Sequence, residues 1–254
     1  MNINKLSKID IIDWQNDIIE KNYSNKYNAK LYYIFNSFMK YCLLYSYIDY
    51  NVVSEIKPFK KKIEFKTHTT YNLYQFLKFR LCLKDFILKQ YFSFMYFYGT
   101  RPSETMALRF TDYKFKYIKI EHSLNRKGKR ELDTPKNQSS IRVIKINILM
   151  IIGIWLLKKY YVKNYKCFSN DYFIFGGPKP LAPTTIDRRK KEAYIRAKLP
   201  NITQHEFRHS YATRMIHKKT PIDIVSRSMG HSKVSTTLDI YTHEKNTFNV
   251  FNHS

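Results

Sequence analysis

The heptapeptide Thr203-Gln204-His205-Glu206-Phe207-Arg208-His209 admits two readings, and the choice between them decides the fold. Taken literally, His205, Glu206 and His209 form H-E-x-x-H, in which two imidazoles one helical turn apart bind zinc and the glutamate serves as base. The third ligand is missing: the metzincin extension needs Gly and His where this chain has Ala212 and Met215, and the next glutamate downstream is Glu244. Taken as a helix start, Thr203 and Glu206 form T-x-x-E, a capping box in which each side chain satisfies the other's backbone N–H. Glu206 then has a structural task. His205 and Arg208 fall in the first turns of one helix face, beside the unsatisfied N–H groups that favour anions. The second reading makes this segment a phosphate site, and it is the one adopted.

Downstream the chain reads M-G-H, ending at His231, and then D-I-Y-T-H around Tyr241. Upstream, residues 148–157 form the longest apolar run, far short of the roughly 18–20 residues that cross a bilayer, and are expected as a buried helix. Residues 113–121 and 141–146 alternate apolar and charged side chains, the period of half-buried strands, with a polar, turn-rich stretch containing Lys136 between them. Residues 85–98 are apolar almost all round and stop at Gly99, where a left-handed cap costs glycine little. Arg101 and Pro102 open the next short helix, because proline suits a first turn whose N–H has no partner. Earlier still, Leu31, Phe35, Phe38, Cys42 and Tyr45 recur at steps of three and four, predicting an amphipathic helix over 25–47 that follows another over 11–19. Lys57, Pro58, Lys60, Lys61 and Lys62 break this pattern as a basic linker. The expected division is residues 1–66, a small helical domain with its linker, and residues 67–254, helices with a small antiparallel sheet.

The charge fits an anionic partner. The 254 residues carry 45 Lys and Arg against 20 Asp and Glu, a formal charge of +25. The abundance of Lys, Asn, Ile, Tyr and Phe reads as a low-GC coding bias that enriches lysine everywhere. Yet residues 1–66 are net +4 and residues 67–254 net +21, so the field is concentrated in the larger part, as expected of a nucleic-acid surface. With 44% hydrophobic and 17% aromatic residues the chain has ample apolar surface to bury, which excludes collagen-like and simple disordered classes. Cys42, Cys82 and Cys167 are odd in number and lack any C-x-x-C pairing, so they read as reduced core residues of a cytoplasmic protein. Acidic residues near the N-terminus stand where a secretion signal needs an apolar run.

Four segments occur in a fixed order: Y-G-T-R-P-S-E-T-M-A-L-R-F (98–110), T-P-K-N-Q-S-S-I-R (134–142), T-Q-H-E-F-R-H-S-Y-A-T (203–213) and M-G-H-S-K-V-S-T-T-L-D-I-Y-T-H (229–243). Together they resemble the tyrosine recombinases, specifically phage and conjugative-element integrases. The resemblance implies a helical, SAM-like core-binding domain in residues 1–66 and a mainly α catalytic domain with a small antiparallel β-sheet in 67–254. It implies that Arg101 and Arg208 clamp a scissile DNA phosphate, for which a planar, permanently charged fork is suited. Lys136 would protonate the departing 5′ oxygen, and His205 and His231 would hydrogen-bond the phosphate and assist proton transfer. Tyr241 would be the nucleophile, forming a 3′-phosphotyrosine without metal, ATP or other cofactor. Double-stranded DNA attachment sites are the implied partner, bound by a homotetramer, with accessory excision or host DNA-bending proteins as further partners and no membrane. Glu104 is expected to brace Arg101 or its helix, and His209 to stabilise its own.

Pro102 and Ser103 stand where Ile-Gly is commoner in that family, and Phe110 where tryptophan is frequent; neither change removes a catalytic group. The arm-binding domain with which many integrases begin has no counterpart before Met1, which implies a truncated or two-domain form. Two rivals remain at this level. A type IB topoisomerase-like enzyme would use the same residues to relax supercoils, and a catalytically silent DNA-binding protein would keep the charge alone.

Overall fold

The computed structural model describes residues 3–58, 69–124, 132–133, 141–230 and 238. The chain divides into two compact units, Met1–Lys66 and Thr67–Ser254.

In the first unit, α1 (Lys8–Glu20) starts at Ser7, which forms a capping box with Asp10, and α2 (Asn25–Leu44) starts at Ser24, whose side chain accepts the Tyr27 N–H. Ile11, Tyr32, Met39, Cys42, Ile48 and Val53 make its core. The Tyr32 hydroxyl donates to the Val53 carbonyl at 2.9 Å, fastening α2 to a 3-10 turn over Val52–Glu55. The buried face of α2 differs from the expected one. Asn28, Tyr32, Met39 and Cys42 are inside, whereas Phe38 and Tyr45 are 49% and 57% exposed. A helix so rich in aromatics offers several stripes at the same period, and the position of α1 selects among them.

The second unit is built around α4 (Phe86–Tyr98), capped by Asp85 and buried along most of its length. Gly99 ends it at φ 65°, and a Cβ there would lie 2.4 Å from the Tyr211 ring, so both backbone and packing demand glycine. Around α4 lie α3 (Leu73–Cys82), α5 (Pro102–Ala107), α6 (Ile148–Asn164), α7 (Pro183–Ala197), α8 (Gln204–His217) and α9 (Ile222–Met229). The core is aromatic. Phe76 stacks on Tyr96 at 3.9 Å, and Phe207 of α8 meets Phe79 and Phe92 at 5.1 and 4.9 Å.

Strands β1 (Tyr113–Lys114), β2 (Tyr117–Ile120) and β5 (Arg142–Lys145) form an antiparallel sheet in the order β1-β2-β5, with Ile118 opposite Ile144 and Ile120 opposite Arg142. The single strand expected over 113–121 is therefore a tight hairpin, turned through Phe115 at φ 51°. A two-stranded pair, β3 (Ser123–Leu124) with β4 (Leu132–Asp133), lies beyond it.

Two further expectations are corrected. Helix α6 is not buried: Met150, Ile154, Leu157 and Tyr161 face the core, but Ile148, Leu149, Ile152 and Trp155 are exposed. Continuous hydrophobicity fixes no face, and only the partners along one side decide it. Between α6 and α7 the chain runs an irregular course, held by bridges of Phe173 to Arg109 and Gly177. All three cysteines are free, but only Cys42 is buried; Cys167 is exposed.

Candidate active site

Helix α8 begins as the capping box requires. Thr203 Oγ1 accepts the Glu206 N–H, and the Glu206 carboxylate accepts the Thr203 N–H. The glutamate of H-E-x-x-H is thus engaged in capping the start of the helix, and among the described residues no three metal-binding side chains are grouped. The start of α8 is fixed from three sides. Tyr91 donates to Gln204 Oε1 at 2.8 Å, buried Lys190 donates to the Ile202 carbonyl at 2.7 Å, and Phe207 is locked in the aromatic core. Arg208 follows Phe207 and is therefore carried inside, 4% exposed, while His205 stays on the first turn at the surface.

Arg208 Nη1 donates to the Gly99 carbonyl at 2.7 Å. Six residues later Arg214 lies over the Tyr96 and Phe97 rings and donates to the backbone carbonyls of both residues, so two arginines of α8 meet the electronegative end of α4. Arg208 Nη2 is buried with no hydrogen-bond partner among the described residues. Burial, with the repulsion of Arg101, lowers the guanidinium pKa to about 9, which leaves it charged at neutral pH.

Arg101 is the N-cap residue of α5, placed by Gly99 before it and Pro102 after it. Its backbone N–H donates to Glu104 Oε2 at 2.9 Å, its Nη1 to Glu104 Oε1 at 2.6 Å, and its Nη2 to the Gly230 carbonyl at 2.7 Å. Glu104 braces Arg101 as expected, and it does more. Arg142 of β5 meets the same carboxylate through Nη2 at 2.9 Å and Nη1 at 3.3 Å, and Arg208 Nη1 lies 4.0 Å from it. Burial alone would raise the Glu104 pKa. The hydrogen bonds and charge of Arg142, joined by the charge of Arg101, outweigh it and hold the carboxyl below its ordinary value. Three guanidinium groups share one anion, leaving the centre with two positive charges in excess.

Of the six predicted residues, Arg101 and Arg208 are brought together, and His205 stands one turn before Arg208 on the same helix. Lys136, His231 and Tyr241 lie outside the described residues. The expected basic linker lies mostly there too, since 59–68 are among those positions. Arg142 closes one of the four motifs but is given no role in the sequence analysis; its local signal is an arginine that opens a strand six residues after Lys136.

The profile of the phage integrase family matches residues 71–247. The chain belongs to that family. Among its relatives, the tyrosine recombinase XerC-like of Caldanaerobacter subterraneus is 26% identical over 96% of this chain and 68% of its own length. The ICEBs1 integrase of Bacillus subtilis is 25% identical over 95% and 68%, and a tyrosine recombinase of Thermosipho africanus 33% identical over 59% and 47%. The integrase of transposon Tn1549, solved with transposon right-end DNA, superposes with a TM-score of 0.76 at 22% identity, over 95% of this chain and 82% of that one. The fold is that of the family, and the chain is a site-specific tyrosine recombinase, a DNA strand transferase. No helix among the described residues is long and apolar enough to cross a membrane.

Proposed function

We propose that this recombinase cleaves and rejoins duplex DNA through a covalent 3′-phosphotyrosine on Tyr241, and that it moves phage or other mobile-element DNA into and out of a chromosome. The observation that carries the reading is the cluster on Glu104: an excess of guanidinium charge in which Arg208 Nη2 is a buried donor awaiting an acceptor. Phosphate oxygens fit such a site, since arginine forks bind two oxygens at once. As the Tyr241 oxygen attacks phosphorus, charge grows on the non-bridging oxygens, and donors fixed in advance stabilise it, each by about 10²–10³-fold on the analogy of oxyanion holes. The P–O5′ bond then breaks, and Lys136 gives its proton to the leaving oxygen. His205 and His231 hydrogen-bond the phosphate and assist proton transfer, and nearby guanidinium charge eases deprotonation of a phenol whose ordinary pKa is about 10. The phosphotyrosine conserves the bond energy, so a 5′ hydroxyl of another strand can attack it with no metal or ATP.

In this reading residues 1–66 are the core-binding domain and residues 67–254 the catalytic domain, clamping duplex DNA and assembling as a tetramer on two sites. A tetramer of lambda integrase bound to a Holliday junction has the same fold, with a TM-score of 0.66 at 14% identity over 91% of this chain and 66% of that one, which supports this assembly. Accessory excision or host DNA-bending proteins would set direction, and a bacterial cytoplasm is the compartment. A duplex nicked near the cleavage site tests the chemistry, because loss of the short product traps the protein on DNA. Wild type should give an adduct resistant to denaturing detergent, with chelator present and ATP absent, and Tyr241→Phe should give none. An adduct formed by Tyr241→Phe removes the nucleophile assignment.

A further inference from the structure

We propose that Arg142 is a positioning residue for the phosphate clamp: it occupies Glu104, so that Arg208 keeps its Nη2 donors for DNA, and it ties the clamp to the end of α9, which His231 follows in sequence. The inference rests on the reading of Arg101 and Arg208 as phosphate ligands.

The Arg142 side chain is 9% exposed and uses its whole fork. Nη1 and Nη2 meet the two carboxylate oxygens of Glu104, and Nε donates to the Ser228 carbonyl at 2.8 Å. Arg101 runs a parallel circuit, from Glu104 to the Gly230 carbonyl. Both arginines therefore join one carboxylate to the C-terminal end of α9, where the carbonyls are electronegative and Gly230 turns the chain at φ 69°. The next residue is His231. The backbone of Arg142 is fixed in turn by pairing with Ile120, and Lys136 precedes it by six residues in the sequence. One side chain thus joins β5, Glu104 of α5 and the end of α9.

The competition for Glu104 gives this a chemical consequence. With Arg142 in place, the buried carboxylate is matched by a two-pronged partner. Without it, the unmet charge draws in Arg208, now 4.0 Å away, to join Arg101, which already donates at 2.6 Å, and turns the Arg208 donors away from the phosphate. Lysine cannot replace the fork, because a single ammonium cannot span both carboxylate oxygens and a carbonyl in one plane.

The test measures single-turnover adduct formation on a nicked duplex, selected by binding to wild type from a randomised pool, with either a phosphate or a neutral methylphosphonate at the scissile position. At saturating protein, Arg142→Ala and Arg142→Lys should slow adduct formation on the phosphate by about 10²-fold, with DNA affinity unchanged. On the methylphosphonate, which brings no charge to the clamp, the penalty should shrink to less than about 10-fold. A residue with only a structural role would slow both substrates equally. Arg142→Lys keeps the stem and charge and carries the test if Arg142→Ala does not fold. A wild-type rate in Arg142→Lys, or equal penalties on the two substrates, overturns the proposal while leaving the recombinase chemistry standing. No adduct from wild type overturns the chemistry and the proposal with it.

Discussion

Glu104 is a buried carboxylate whose ionised form is held by Arg142 and Arg101 against the cost of its burial. Its folded-state pKa is depressed, so the folded protein binds fewer protons than the unfolded one between that value and the ordinary glutamate pKa of about 4.3. The stability it contributes is fully present above that pH and is lost as the pH falls through the folded value. Urea unfolding over an acidic pH series should show this loss. Glu104→Gln should abolish that part of the slope and, by leaving guanidinium charge uncompensated, lower stability at neutral pH by about 3–5 kcal/mol. Arg208→Lys removes the fork that reaches both the Gly99 carbonyl and, in the proposed reading, the phosphate. It should cut single-turnover cleavage by about 10²–10³-fold while changing DNA affinity little, since one contact among many is altered. Equal losses in rate and affinity would remove Arg208 from the phosphate.

At the scale of elements, the site depends on the meeting of α4 and α8. Gly99 lets α4 turn toward Arg101, and Tyr211 of α8 packs where a Cβ would be. Gly99→Ala combines a left-handed backbone with overpacking and should cost about 1–3 kcal/mol or more, read as a lowered urea midpoint. Helix α6 gives the converse case. Leu149 is 74% exposed and Leu157 is buried, so Leu149→Gln should change stability by less than about 0.5 kcal/mol and Leu157→Ala should cost about 2–5 kcal/mol. These two leucines lie in one apolar run and read alike as sequence. By contrast, the α8 cap, the end of α4 and the proline at the start of α5 are legible in the residues alone, because capping and glycine turns are interactions among residues only a few positions apart.

Across the whole molecule, the charge has two uses. A few guanidinium groups are gathered on Glu104, and most of the +21 on residues 67–254 remains for the DNA backbone in the proposed reading. Binding through many phosphates releases many counterions, so affinity should fall steeply with salt. The rate at which the bound complex cleaves should hold nearly constant, because buried charges are screened little. Titration of binding and single-turnover cleavage over one salt series separates the two, and a rate that falls faster than affinity would undo this division.

The sequence by itself determined the local grammar and the chemical inventory: where helices start and stop, which part of the chain is most basic, and, through motifs in order, which family the chain belongs to. Those signals lie within a few residues of one another or within a motif, so they survive without three-dimensional information. Only the tertiary structure decided which face of α2 and of α6 is buried, because an apolar helix offers several equivalent stripes until neighbours choose one. It also decided that Arg101, Arg142 and Arg208, spread over 107 positions from first to last, share a single carboxylate. Burying Glu104 is costly unless opposite charge surrounds it, and that requirement, invisible in any one motif, assembles the centre.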